Sequence, residues 1–220
     1  MNKNYDAVLF DFDGTIADTG EGIFESVRYA VNALGKEPLN EKQLRSFIGP
    51  PIYDSFKNML SLTDEQTEFA AIKYRECYAQ GAMFRLKFYD GIPELLKKLR
   101  ENGIKTSVAS AKPFKFVEAI LKHFDMLDSF DYIASPMGDD KPETKCDLIT
   151  RAAGFFGTDK NRVLMVGDRR FDIEGANEAS VDSVGVLYGY SKQDELKNAG
   201  ASFLVNTAKE IEKIIFCGDC

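Results

Sequence analysis

Two pairs of aspartates carry the densest chemistry in this 220-residue chain. The first is Asp11 and Asp13 in Asp11-Phe12-Asp13-Gly14-Thr15, directly behind the apolar run Ala7-Val8-Leu9-Phe10. Side chains alternate along extended backbone, so both carboxylates leave the strand end on one side, and Gly14 lets the chain turn sharply away. The second is Asp168 and Asp172, behind Val163-Leu164-Met165-Val166-Gly167. With Asp172 in the first turn of a helix, the two can face one cavity, while the helix dipole also favours an acid there. Carboxylates this close repel, and a divalent cation relieves the repulsion. Oxygen donors with neither thiolate nor imidazole select Mg²⁺ over zinc or copper, and Mg²⁺ points in turn to a phosphate.

Two weaker features stand at other element ends. In Ser110-Ala111-Lys112-Pro113 a hydroxyl and backbone amides precede a helix, where they can hold an anion or simply cap the helix. Lys141 and Lys145 lie in the stretch before the next helix, where a lysine is ordinarily a solvated charge.

These residues need a scaffold, and the pattern of apolar runs indicates one. Strands are expected at 6–10, 105–109, 132–134, 162–166, 183–187 and 202–205, each too uniformly apolar for a one-sided sheet. Helices are expected between them at 92–102, 115–123, 144–156, 171–179 and 209–216, with Gly103 and Gly157 as left-handed stops. This alternation is that of an α/β protein with a doubly wound, Rossmann-like parallel sheet, which binds ligands at the carboxyl ends of its strands. Residues 16–86 break the alternation with helices at 22–34, 41–47, 53–60 and 64–80, the prolines of Phe47-Ile48-Gly49-Pro50-Pro51 forming a turn. The expected organisation is a core of residues 1–15 and 87–220 with an inserted all-helical cap domain at 16–86, an arrangement suited to a lid.

Composition narrows the classes. With 28 Lys plus Arg against 35 Asp plus Glu, the net charge is −7, and no basic run supports binding to a nucleic acid polymer. The one histidine, His123, excludes a multi-histidine zinc site and leaves acid/base work to carboxylates. No apolar run approaches a membrane span and no N-terminal signal pattern is present, so a cytoplasmic protein without a membrane partner is expected. Cys77, Cys146, Cys217 and Cys220 have no framework spacing, and the Cys217-Gly-Asp-Cys220 tail reads as unpaired thiols at a frayed end.

In order, strand-Asp-x-Asp-Gly-Thr, strand-Ser, Lys and strand-Gly-Asp-x-x-x-Asp resemble the haloacid dehalogenase superfamily of phosphohydrolases over essentially the whole chain. The helical insertion is similar to the cap of the subgroup holding phosphoglycolate phosphatases and β-phosphoglucomutases. Arg45-Ser46-Phe47-Ile48-Gly49-Pro50-Pro51, Gly167-Asp168-Arg169 and Gly185-Val186-Leu187-Tyr188-Gly189-Tyr190 resemble the phosphoglycolate-phosphatase-like branch, some members of which act as 5′-nucleotidases. The resemblance implies Asp11 as the nucleophile that becomes an aspartyl-phosphate, and Asp13 as the acid and base around it. It implies Mg²⁺ on Asp11, the Asp13 backbone carbonyl and Asp168, with Asp172 in support. Ser110 and Ala111, with Gly14 and Thr15, are expected at the phosphate, Ala111 by its backbone alone, since this chain departs from the branch by having alanine where a polar side chain is common. The charge-neutralising lysine is expected at Lys145 by its distance from Asp168, while Lys141-Pro142 resembles another common form. Asp13 favours phosphate chemistry, since the dehalogenases of the superfamily lack that carboxylate.

The implied activity is Mg²⁺-dependent hydrolysis of a small phosphorylated metabolite, of the phosphoglycolate or nucleoside 5′-monophosphate type, by a monomer or homodimer. A β-phosphoglucomutase-like sugar-phosphate mutase is the alternative. A response-regulator receiver would keep its acids and phosphoacceptor on separate strands, without a helical insertion, and a dinucleotide binder would need a glycine motif that is absent. Arg45 and the Ile48-Gly49-Pro50 loop are the expected contributors to substrate choice.

Overall fold

The structure is a computed structural model and describes residues 4–138 and 143–217; Lys141 and Cys220 lie outside the described residues. The chain forms two compact units, one of residues 1–17 and 88–220, the other Asp18–Lys87.

In chain order the elements begin with β1 (Ala7–Phe10) and β2 (Ala17–Asp18). The second unit carries α1 (Gly20–Ala33), α2 (Glu41–Arg45), α3 (Ile52–Leu60) and α4 (Asp64–Ala79). After β3 (Lys87–Phe88) the first unit continues with α5 (Ile92–Glu101), β4 (Lys105–Ala109), α6 (Phe114–His123), β5 (Tyr132–Ala134) and α7 (Lys145–Phe156). It ends with β6 (Val163–Gly167), α8 (Arg170–Ala179), β7 (Asp182–Val186), α9 (Glu195–Asn198), β8 (Phe203–Val205) and α10 (Ala208–Cys217).

The six-stranded sheet runs β5-β4-β1-β6-β7-β8, with parallel neighbours throughout. Parallel strands need helical crossovers that cover both faces, which is why the strands read as unbroken apolar runs. Central β1 is buried at every residue. The chain fills one side of β1 with β4 and β5, then crosses to β6, so the order reverses at β1 and opens a crevice beyond its carboxyl end. Register aligns the exits: Phe10 lies opposite both Val108 and Val166, so Asp11 leaves the sheet level with Ala109 and Gly167. Leu148, Ile149 and Ala152 of α7 and Ala176 of α8 pack with Ala7, Leu9 and Met165 in one buried cluster.

In the second unit, Ile23, Val27, Ala30 and Val31 of α1 are buried, and α1 packs on α4. Gly22 lets α1 also lie against the segment after α4, since a Cβ there would strike the Ala82 carbonyl. Phe47, Phe56, Tyr74 and Tyr78 form a chain of aromatic contacts at 5.0, 6.3 and 5.4 Å. Helix α2 starts at an Asn40–Gln43 capping box and stops at Arg45, two residues before the expected end, its C-cap Ser46 donating its N–H to Gln43. Strand β7 lies one residue earlier than expected, and the half-exposed Leu187 follows it with its N–H still donating to the Val205 carbonyl at 2.8 Å.

Candidate active site

Asp11 extends β1 by one hydrogen bond, its N–H donating to the Val166 carbonyl at 2.9 Å, which aims the nearly buried carboxylate into the crevice. Lys145 meets it from the first residue of α7. That helix start is fixed by Thr144, whose hydroxyl accepts from the Asp147 N–H while the Asp147 carboxylate accepts from the Thr144 N–H. The Lys145 ammonium has three acceptors, Asp11 Oδ1 at 2.8 Å, Asp172 Oδ1 at 2.7 Å and the Ala109 carbonyl at 2.9 Å, one for each proton. Gly175 lets α8 run against the lysine stem, which a Cβ at that position would crowd.

Asp172 sits in the first turn of α8, where its Oδ2 accepts the Arg169 N–H at 3.0 Å. Gly167 is required beside it, since a Cβ there would occupy the Asp172 side chain. Asp168 is fully buried and held by neutral donors, the Thr15 hydroxyl at 3.3 Å and the Tyr190 N–H at 2.7 Å. Glycines make room for it from two sides. Gly14, at φ +87°, has no Cβ to collide with Asp168 Oδ2 and the Tyr190 ring, and a Cβ at Gly189 would strike Asp168 as well.

Burial dominates the electrostatics. It drives Asp168 well above the usual carboxylate range, and the charges of Asp172 and Asp11 push the same way, opposed by the Tyr190 N–H. Burial also raises Asp172, against the pull of Lys145. For Lys145, burial opposes the charge, but Asp11 and Asp172 together outweigh it and hold the ammonium above the usual lysine range.

Asp13 lies outside this cluster. Its two carboxylate oxygens accept from Lys112 Nζ at 2.7 and 3.0 Å, in a turn where Ser110 Oγ accepts the Lys112 N–H at 3.3 Å. Four carboxylates, Asp11, Asp13, Asp168 and Asp172, thus face two ammonium groups, leaving a deficit that one divalent cation would balance. Asp11, Asp168 and Asp172 offer oxygens all within 4.8 Å of one another, a hard donor set fit for such an ion.

Of the residues singled out from the sequence, Asp11, Asp168, Asp172 and Lys145 thus form one buried cluster. Ser110 is buried and its N–H donates to the Ala134 carbonyl, while Ala111 is exposed in the same turn. The Gly14 N–H donates to Ala17 and the Thr15 N–H to Phe12, so these two amides close the turn, and what they present to the site is shape and one hydroxyl. Arg45 is exposed and pairs with Glu41 along α2 at 3.3 Å, and Ile48 is fully buried. His123 is exposed at the end of α6, and Cys217 is an exposed free thiol. Sequence reasoning did not single out Lys112, the Tyr190 N–H or the Arg169–Glu195 ion pair at 2.9 Å as site-forming.

The family model for haloacid dehalogenase-like hydrolases matches residues 8–186, a span holding every one of the clustered carboxylates and both lysines. The chain is a haloacid dehalogenase-like hydrolase. Among relatives of this hydrolase, the 5′-nucleotidase of Pseudomonas aeruginosa is 35% identical over 88% of this chain and 87% of that protein. The tyrosine-protein kinase PtkA of Mycobacterium tuberculosis is 33% identical over 91% of this chain and 68% of that one. A crystal structure described as a "predicted phosphatase" from Clostridium acetobutylicum superimposes with a TM-score of 0.90 at 38% identity, covering 96% of this chain and 98% of that one. Family and neighbours together make this hydrolase a phosphatase acting on phosphorylated substrates.

Proposed function

We propose that this phosphatase is a Mg²⁺-dependent phosphomonoester hydrolase that works through an aspartyl-phosphate at Asp11, on a small metabolite of the nucleoside 5′-monophosphate or phosphoglycolate type. The observation that carries the proposal is the Lys145 ammonium bridging Asp11 and Asp172 beside buried Asp168. It sets a positive charge against Asp11 and holds the side chain fixed at the strand end, as a carboxylate nucleophile needs. Asp172 already has a counter-charge in the Lys145 ammonium, whereas Asp168 is held by neutral donors alone, which suits Asp172 to a supporting role. Asp11 and Asp168, with the Asp13 backbone carbonyl, are the groups that would hold Mg²⁺. Bound there, the ion would offset repulsion between the nucleophile and an anionic phosphate.

The chain's own groups then divide the work. An Asp11 oxygen attacks phosphorus as the bond to the leaving oxygen breaks, and that oxygen takes a proton from the Asp13 carboxyl. Water next gives a proton to the Asp13 carboxylate and attacks phosphorus, releasing phosphate and restoring Asp11. Ser110 and the amides of its turn are suited to the phosphate oxygens. The helical unit is proposed as the cap domain that limits water during transfer. The nucleotidase named among the relatives supports placing nucleoside 5′-monophosphates first.

The test is phosphate release from nucleoside 5′-monophosphates, phosphoglycolate and sugar phosphates, with Mg²⁺ or chelator. Chelator-sensitive release is expected, with kcat/KM ranking the substrates. Release unaffected by chelator would overturn the metal, and phosphoryl transfer to a sugar phosphate in place of water would overturn hydrolysis.

A further inference from the structure

We propose that Lys112 is a positioning residue for the reaction: it holds the Asp13 carboxylate by both oxygens and fixes its aim for proton transfer. This rests on the reading above, in which Asp13 serves the leaving group.

The grip is built from the backbone outward. Lys112 follows β4, and Ser110 Oγ accepts its N–H. Pro113 then sets the entry to α6, whose first residues are tied down by the Phe114 N–H on the Pro136 carbonyl at 2.9 Å and the Phe116 N–H on the Pro113 carbonyl at 2.9 Å. The lysine stem therefore starts from a fixed place. Its ammonium reaches both Asp13 oxygens at 2.7 and 3.0 Å and lies 5.7 Å from the centre of the Phe12 ring. The Lys112 side chain is 5% exposed and that of Asp13 14%.

Burying such a pair is a poor way to gain stability, because desolvation offsets most of the attraction and apolar residues would serve as well or better. What a two-point contact supplies is orientation. The ammonium holds the ionised form by both oxygens; in the protonated form that the first step needs, one oxygen still accepts from Lys112 and the other carries the proton, so the grip sets which oxygen faces the leaving group. Proton transfer demands that restriction, since an acid must meet the leaving oxygen within hydrogen-bond reach as the phosphorus–oxygen bond breaks. In that step the Asp11–phosphorus bond forms, the electron pair of the broken bond stays on the leaving oxygen, and the Asp13 proton moves to it. Lys112 neither donates that proton nor touches phosphorus; it acts through Asp13.

A leaving-group comparison tests this. An alkyl phosphate needs protonation of its leaving oxygen, whereas p-nitrophenyl phosphate leaves as a stable phenolate and needs little. Lys112→Met should lower kcat/KM for an alkyl ester by about 10²-fold, the scale of acid/base assistance. The loss on the aryl ester should be at least tenfold smaller, and Asp13→Asn should show the same contrast. Combining the two substitutions should lower kcat/KM no further than Asp13→Asn alone, and Lys112→Arg should recover part of the alkyl-ester rate. Equal losses on both esters, a rise confined to KM, or additive effects in the double variant would each overturn the proposal. Should Lys112→Met not fold, Lys112→Gln carries the same comparison. Aryl-ester turnover by the wild type that Asp11→Asn abolishes, together with a leaving-group contrast in Asp13→Asn, secures the underlying reading, so a contrast missing from Lys112→Met alone counts against Lys112.

Discussion

Lys145 and Lys112 both pair with aspartates from the same short stretch, yet they are built differently. Lys145 begins a capped helix and spends its protons on β1, α8 and the end of β4. Lys112 sits in the turn after β4 and grips both oxygens of one carboxylate. The first arrangement ties elements together around a buried negative cluster, so it serves charge and fold at once. The second controls the direction of a single side chain. The difference teaches that similar ion pairs a few residues apart carry separate duties, readable from whether an ammonium bridges two carboxylates or takes both oxygens of one.

The strongest way to break this comparison is at Asp11. Asp11→Asn should lower phosphate release at least about 10⁴-fold, since no other group replaces the nucleophile; comparable turnover would remove the basis for assigning Lys145 its role. Lys145→Met should cost about 3 kcal/mol in urea denaturation, because two buried carboxylates lose their counter-charge. Added Mg²⁺ should return more stability to that variant than to the wild type, and an unchanged urea midpoint would show that Lys145 ties nothing together. Gly14→Ala should cost about 2 kcal/mol, because its φ of +87° and the neighbouring Asp168 both reject a Cβ. The same variant should bind Mg²⁺ more weakly by calorimetry.

The pH dependence sharpens the contrast further. Asp168 and Asp172 titrate above their unfolded values, chiefly through burial, so between the two values the folded chain binds more protons than the unfolded one. Stability of metal-free protein should therefore fall as pH rises from about 4 toward 7, by about 1.4 kcal/mol for each unit that a carboxylate is displaced. Thermal melts in chelator should show the fall and Mg²⁺ should flatten it; a steady rise in Tm across that window would contradict the burial argument. At the small end, Arg45→Ala removes only an exposed pair with Glu41 and should change stability by less than about 0.5 kcal/mol.

Much of the core was legible because the physics is local. A strand buried on both faces must be apolar along its length, so β1, β4 and β6 announce themselves, and the acids behind β1 and β6 must emerge at the same end of a parallel sheet. Lys145 was reached by the spacing of a family resemblance, not by any property of the residue. Lys112 was passed over although it stands in a quoted motif, because 99 positions separate it from Asp13 and nothing local distinguishes a buried lysine from a solvated one. The Tyr190 N–H escaped for a related reason: a backbone donor has no residue type, and only the glycines at 185 and 189 hint at the tight loop.

By itself, then, the amino-acid order determined the element types, the parallel sheet and the chemical kind of the site, since periodicity and carboxylate spacing are properties of short stretches. Tertiary structure alone decided which lysine faces which aspartate, which glycines give Asp168 and Asp172 their space, and how the charge deficit is distributed. Those are contacts between segments far apart in the chain, set by the register of β1 against β4 and β6 and by the helices that follow them.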